Sequence, residues 1–376
     1  MKILINCSNL RVGGGLQVAH SFLYEIKRNI EHHFLVVLSE NLQPQINKDD
    51  FGQNFQFVNY SVKPSVTKTV FGRDKQLDDF EHIFQPEVVF SVFGPTYWRP
   101  KAKHICGFAK PDYIYKDSPY FKQISFFQKL KLNAMEFFHM LDFKKNNDLL
   151  ITENPDVTRI LAQKVPQKVV TVTNFYNQIF ENESLWDKSI LIDESKETIK
   201  LLTISANYPH KNLAIIKKVI PVLKKQFPAF QFKFFLTIDR SEFGISETDS
   251  LNQNIEFLGK VTINQCPNLY SQCDFLFLPT LLECFSASYC EAMFMQKPIL
   301  TSDLSFAKGI CGKAAEYFNP MDENDVANTI YELAINNELQ NKIKKYGIPQ
   351  LKTFDSSQIR AKKYIELITS KDAIKR

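Results

Sequence analysis

The sequence has no Cys-x-x-Cys pair and no His/Cys cluster at metal-ligand spacing. Its seven cysteines, an odd number, therefore read as reduced core thiols rather than a disulfide framework or a zinc site. No run approaches the length of a membrane-spanning helix, and residues 1–6 are too short an apolar stretch for a signal peptide. These absences point to a cytoplasmic protein. Strong charge of either sign is also missing: a formal net charge of +5 over 376 residues is too mild to argue for nucleic acid. No internal repeat or low-complexity tract interrupts either half. A composition of 44% hydrophobic and 23% charged residues is globular, and the length leaves room for two domains, each with its own core.

What is present is alternation. Residues 2–6 form a first strand, and Val12-Gly13-Gly14-Gly15 is a glycine turn opening a helix over 16–28. The turn is not the dinucleotide fingerprint Gly-x-Gly-x-x-Gly, and no acidic residue ends the second strand at 34–38, which weakens a nicotinamide-dinucleotide reading. Two readings of the three glycines stay open: a tight strand-to-helix turn, or a backbone that comes close to a ligand as only a residue without Cβ allows. Strands at 55–62, 87–93, 104–109, 148–152 and 168–173 are separated by helical patterns at 70–84 and 155–163. This spacing predicts a parallel, doubly wound α/β sheet. Loops at 94–98 and 110–113 follow strand ends. Asp112 lies in the second of them, either as a functional carboxylate or as a turn former after proline.

Residues 120–145 mix Phe121, Phe126, Phe127, Leu130, Phe137 and Phe138 with Lys122, Lys129, Lys131, Lys144 and Lys145, the pattern of a basic amphipathic helix or helix pair. Such a face either lies on an anionic membrane or packs on the core with its lysines in water. Residues 180–198 are acidic, polar and aperiodic, a linker by composition. Domains are therefore expected at 1–180 and 181–354.

The second half restarts with a strand at 200–205. A helix follows in which Leu213, Ile216, Ile220, Leu223 and Phe227 recur at spacings of three and four, and Lys211 is expected where it begins. A cation there opposes the helix dipole and invites an anionic partner. Strands at 230–238, 255–258 and 298–301 surround the apolar run Phe275-Leu276-Phe277-Leu278, which reads as a buried parallel strand. Beyond that run Glu283, Cys284, Phe285, Ser286, Ala287 and Ser288 make the turn into a helix that carries Glu291. A loop carboxylate, a ring of helix N-terminal amides and a helix carboxylate suit a ligand with hydroxyls on both sides of a phosphate, namely a nucleotide sugar. A long helix over 323–346 stops at Gly347-Ile348-Pro349, and 356–369 makes the last one.

Several short stretches in order give this half a family likeness: Ser205-Ala206-Asn207 with His210-Lys211-Asn212, Phe257-Leu258-Gly259, Leu269-Tyr270-Ser271-Gln272-Cys273-Asp274, the glutamate stretch, Lys297-Pro298-Ile299-Leu300-Thr301-Ser302-Asp303, and Ala314-Ala315-Glu316-Tyr317-Phe318-Asn319-Pro320. The region 201–320 resembles the retaining glycosyltransferases of family 4, of the bacterial polysaccharide, O-antigen and capsule type. The N-terminal half matches more loosely. The resemblance implies a GT-B fold: two Rossmann-like parallel-sheet domains facing a cleft, with the C-terminal helix, residues 355–376, returning to the first. It implies an acceptor-binding first domain and a donor-binding second one. It puts Gly13, Gly14 and Gly15 near donor phosphate and acceptor, Lys211 on the diphosphate, Glu291 on the ribose and Glu283 on the sugar, with Asn207 and the amides of 284–288 alongside. Asp112, the nearest counterpart of a family His-Asp pair, is with Lys211 and Glu283 a candidate catalytic residue. The donor would be a UDP- or GDP-sugar and the acceptor a glycan or lipid-linked glycan, with residues 120–145 at the inner membrane face.

Two departures stand out. An arginine usual before Lys211 is absent, and the family's Gly-Phe-Gly is here Cys284-Phe285-Ser286. The Asp-x-Asp flanked by apolar strands that holds a metal-bound diphosphate in the other large glycosyltransferase fold is absent too, so neither metal nor cofactor is expected. A nucleotide-sugar epimerase or hydrolase of the same fold, and a nucleotide-binding scaffold without catalysis, remain open beside the transferase. A dehydrogenase stands furthest off.

Overall fold

The computed structural model describes residues 1–11, 13–61, 73–192 and 195–370. Val12, residue 62 of the third strand, and the first residues of the helix expected at 70–84 lie outside them. The chain divides into two compact units. The first comprises Met1–Ile114, Ile124–Asn174 and the C-terminal stretch from Asp355; the second comprises Tyr115–Gln123 and Phe175–Phe354. The chain thus leaves the first unit ahead of the acidic linker, and the short segment 115–123 counts with the second.

In the first unit the strands are β1 (Lys2–Asn6), β2 (His33–Ser39), β3 (Phe55–Tyr60), β4 (Val88–Ser91), β5 (Lys103–Gly107), β6 (Leu149–Thr152) and β7 (Lys168–Thr171). They form one sheet in the order β3-β2-β1-β4-β5-β6-β7. Every pairing is parallel. Burial on both faces explains why these strands read as continuous apolar runs, with Leu4, Ile5, Val36, Val37, Val88 and Val89 all at 0% exposure. Helix α1 (Gly14–Ile26) packs on this sheet beside the last helix, and Phe22 and Tyr364 meet edge to face at 5.4 Å. Arg360 of that helix, 2% exposed, donates to Ser21 Oγ at 2.8 Å and to the Asn174 side chain.

The second unit repeats the plan: β8 (Ile199–Thr203), β9 (Phe232–Leu236), β10 (Ile255–Phe257), β11 (Phe275–Leu278), β12 (Ile299–Ser302) and β13 (Ala315–Phe318), in the order β10-β9-β8-β11-β12-β13, again all parallel. In each sheet the order reverses beside one strand, between β1 and β4 and between β8 and β11. Ligands of open parallel sheets collect beyond the carboxyl ends of strands at such a switch point.

The basic segment takes one of the two forms expected for it, and one helix differs from expectation. Helix α2 is Lys75–Phe84; the basic amphipathic segment is a pair of helices, Tyr120–Gln123 and α3 (Phe126–Asn146), the latter started by a capping box of Ser125 and Gln128. The helix expected over 323–346 is two helices, Glu323–Ile335 and Asn337–Leu351. Asn336 breaks the run because its side chain accepts from the Leu339 amide and caps the second one. That helix continues through Gly347 and Pro349, with Gly347 close against Met293. Among the described residues no helix is long and apolar enough to cross a membrane.

Candidate functional site

Lys211 was expected at the start of a helix and is not there. It ends a 3-10 turn, Pro209–Lys211, after which Asn212 turns left-handed at φ 55° and a second turn, Leu213–Ile215, leads into α-helix only at Ile216. Asparagine tolerates that backbone, and here its side chain also bonds the Pro320 carbonyl at 2.9 Å. Pro209 holds the chain extended before it, which delays the helix beyond Lys211.

The delay carries Lys211 toward the loop after β11. Its ammonium pairs with the Glu283 carboxylate, both side chains being largely buried. Two backbone contacts hold the loops in that position: the His210 carbonyl accepts from the Leu281 amide at 2.7 Å and from the Thr280 hydroxyl at 3.3 Å. Burial and the neighbouring Lys211 ammonium hold His210 neutral, down to about 4. The switch point of the second sheet thus brings one cation and one carboxylate together from the loops after β8 and β11.

Four residues beyond Glu283 begins the helix Ala287–Phe294. Ser286 stands at its N-cap without making a side-chain cap; the Tyr289 amide donates to the Ser286 carbonyl at 3.2 Å, and the amides of Ala287 and Ser288 are left to other acceptors. Tyr289, fully buried, fixes this helix against β12 through a 2.8 Å hydrogen bond to Thr301, which itself donates to the Leu278 carbonyl. Glu291, 6% exposed, accepts from the buried Tyr270 hydroxyl at 2.9 Å. Burial pushes its carboxyl up to about 7 against the pull of that hydrogen bond. Cys284 and Phe285 are buried as well, and Phe285 meets Phe354 edge to face at 5.4 Å. The side chains that replace the family's two glycines therefore differ in kind: one fills the interior and the other, Ser286, stays partly open.

Asn207 does not join the pair; its amide donates to the Glu242 carbonyl at 2.5 Å. Gly13, at φ 72°, makes the turn that the strand-to-helix reading requires, while Gly14 and Gly15 already belong to α1. A Cβ on Gly14 would meet nothing within 4 Å, so space above the helix start is open. Asp112 sits in the 3-10 turn Pro111–Tyr113 after β5, in the first unit.

Two site elements were missed in the sequence. Tyr270 lay inside a motif but had no assigned partner, since a bond to Glu291 needs the fold. In the first unit, His139 of α3 bonds the hydroxyls of Tyr97 and Tyr113 at 2.5 and 2.6 Å. A lone histidine in an amphipathic helix gives no signal for that.

Residues 198–336 match the sequence model of the family described as glycosyl transferases group 1. Over 218 residues the chain is 24% identical to the O-antigen chain mannosyltransferase RfbU of Salmonella typhimurium, a match covering 54% of this chain and 55% of that one. The chain thus spans about half the length of this curated relative. Among solved structures, WaaG, a glycosyltransferase involved in lipopolysaccharide biosynthesis, superposes with a TM-score of 0.70 at 12% identity over 98% of this chain and 100% of its own. Anabaena HepE in complex with UDP-glucose gives 0.67 at 12% identity, with the same two coverages. The chain therefore has the GT-B fold, and the match to the glycosyl transferases group 1 model lies within its second unit, across residues 198–336.

Proposed function

We propose that this protein is a retaining glycosyltransferase that moves a sugar from a nucleoside-diphosphate donor to a glycan or lipid-linked glycan in surface polysaccharide biosynthesis. The observation that carries the reading is the meeting of Lys211, Glu283 and an uncapped helix N-terminus at the switch point of the second sheet.

Breaking the bond between sugar and diphosphate puts negative charge on the leaving phosphate and positive charge on the anomeric carbon. Fixed donors aimed at the first stabilise the transition state more than the ground state. The Lys211 ammonium and the amides of the first turn after Ser286 supply such donors from the chain itself, which is the basis for a metal-independent reaction. Glu283 is then the group that takes the sugar hydroxyls, exchanging part of its bond to Lys211 for bonds to the donor. Glu291, held by Tyr270, takes the ribose hydroxyls. Support for the donor class comes from the UDP-glucose held by Anabaena HepE, and for the pathway class from the names of RfbU and WaaG. Gly13, Gly14, Gly15 and Asp112 of the first unit are assigned to the acceptor.

The protein works in the cytoplasm, against the inner face of the membrane. On α3, Phe126 and Phe127 are 68% and 80% exposed, and Leu130, Phe137 and Phe138 are exposed too, with the exposed Lys129 and Lys131 on the same helix. Apolar rings that enter the headgroup boundary and lysines that meet anionic lipid suit a surface carrying a lipid-linked acceptor.

The test is a panel of UDP- and GDP-sugars, following release of nucleoside diphosphate and the anomeric configuration of the product. Release from one donor with retained configuration supports the proposal. Release with inversion, or isomerisation of the sugar without release, sinks it.

A further inference from the structure

Residues 115–123 belong to the second unit, although the chain on both sides of them belongs to the first. They lie outside the region 198–336 that matches the family model, yet they run as a strap along the two loops that bear Lys211 and Glu283. The central tie is Ser118, 6% exposed, whose hydroxyl donates to the Leu281 carbonyl at 2.7 Å. Pro119 biases Ser118 toward extended backbone, and the Tyr120 amide donates back to the Ser118 Oγ at 3.2 Å. That leaves the single hydroxyl proton for Leu281.

Leu281 is fully buried, and both of its main-chain polar groups are engaged: the carbonyl by Ser118 and the amide by the His210 carbonyl at 2.7 Å. Among the described residues no other group donates to that Leu281 carbonyl. Two further strap residues reach the other loop. Tyr120 meets His210 ring to ring nearly at right angles, with centroids 6.2 Å apart. Gln123 donates to the Asn212 side chain at 3.4 Å. His210 and Asn212 flank Lys211, and Leu281 stands two residues before Glu283. The strap therefore engages the chain on both sides of the ammonium and just ahead of the carboxylate. Without the Ser118 hydroxyl a buried acceptor is left unpaired, and a connecting segment relieves that by moving to water, carrying Glu283 with it.

Resting on the transferase reading, we propose that Ser118 is a positioning residue of the donor site, holding Glu283 in place against Lys211 through Leu281. It touches no reacting atom. What it supplies is precision: a carboxylate displaced by about 1 Å loses much of its effect on the transition state, while a diphosphate held by Lys211 and the helix amides still binds. Tyr120 and Gln123 steady the loop of Lys211 in the same way. Residues ahead of the family-matched region thus complete the site which that region carries.

The test compares the full chain with its Ser118→Ala variant by amide hydrogen exchange and by steady-state release of nucleoside diphosphate from the panel of UDP- and GDP-sugars. Exchange should quicken about tenfold in peptides covering 280–285 and keep parental rates in β9 and β12. The turnover number should fall roughly tenfold to a hundredfold, with the Michaelis constant within about twofold of the parent's. In a Glu283→Gln background the same substitution should cost about twofold or less, because the charge it positions is already gone; a merely structural bond costs the same in both backgrounds. Unchanged exchange at 280–285, faster exchange throughout the second unit, or an equal loss in both backgrounds overturns the proposal. If the parent releases nucleoside diphosphate from no donor, the transferase reading falls, and the exchange pattern by itself upholds or overturns the tie between Ser118 and the Glu283 loop.

Discussion

Lys211 and Glu283 stand 72 residues apart in the chain and join as an ion pair across the switch point of the second sheet. Each satisfies the other. On the proposed reading, donor binding redistributes this pair rather than filling an empty site, with the ammonium answering the diphosphate and the carboxylate the sugar.

Turnover separates those roles. Glu283→Gln keeps the shape and removes the charge, so release of nucleoside diphosphate from the preferred sugar donor should fall by roughly 10²–10³. The Michaelis constant for that donor should change far less, as read by steady-state kinetics.

Glu291 makes stability depend on pH. Burial holds its carboxyl at about 7 in the folded protein, above the ordinary value of 4.5. The protonated carboxyl is what the interior favours, so its contribution is fully present below that lower range and is lost as pH rises towards 7. Replacing it by glutamine should flatten the fall in stability between pH 5 and 8, a difference on the order of 3 kcal/mol at pH 8, seen in urea unfolding.

Tyr270→Phe removes a hydroxyl bonded to Glu291. Nucleoside diphosphate affinity should drop roughly fivefold to tenfold because Glu291 loses its orientation, while the core volume is kept. Calorimetry measures it.

Much of this was legible from residues alone. The strands were, because parallel strands buried on both faces are uninterrupted apolar runs, as Phe275-Leu276-Phe277-Leu278 is. Glu283, Glu291 and Lys211 were singled out from motifs. Their bonding was not, because a local helix signal in Leu213, Ile216 and Ile220 obscured the left-handed step at Asn212 that sends Lys211 to Glu283. Pro349 read as a stop although the true break is the cap at Asn336. The Tyr97–His139–Tyr113 chain joins three elements distant in sequence, and no periodicity encodes it.

Ser286 governs sugar choice if its partly open side chain narrows the donor pocket. Ser286→Gly should cost only a few tenths of a kcal/mol, since glycine is a fair N-cap and no cap bond is lost. The ranking of donors in the panel should nevertheless change, with bulkier sugars gaining.

The exposed face of α3 predicts membrane behaviour. Phe126→Ser with Phe127→Ser should reduce sedimentation with vesicles of 30 mol% anionic lipid by roughly tenfold or more, without a change in melting temperature.

The most direct measurement is calorimetric titration of the full chain with UDP and with GDP in the presence of EDTA. The account predicts binding of one nucleotide, weakened roughly tenfold to a hundredfold in Lys211→Ala and kept in Glu283→Gln, because the ammonium and not the carboxylate meets the diphosphate. Binding of neither nucleotide, or equal affinity in Lys211→Ala, would contradict it.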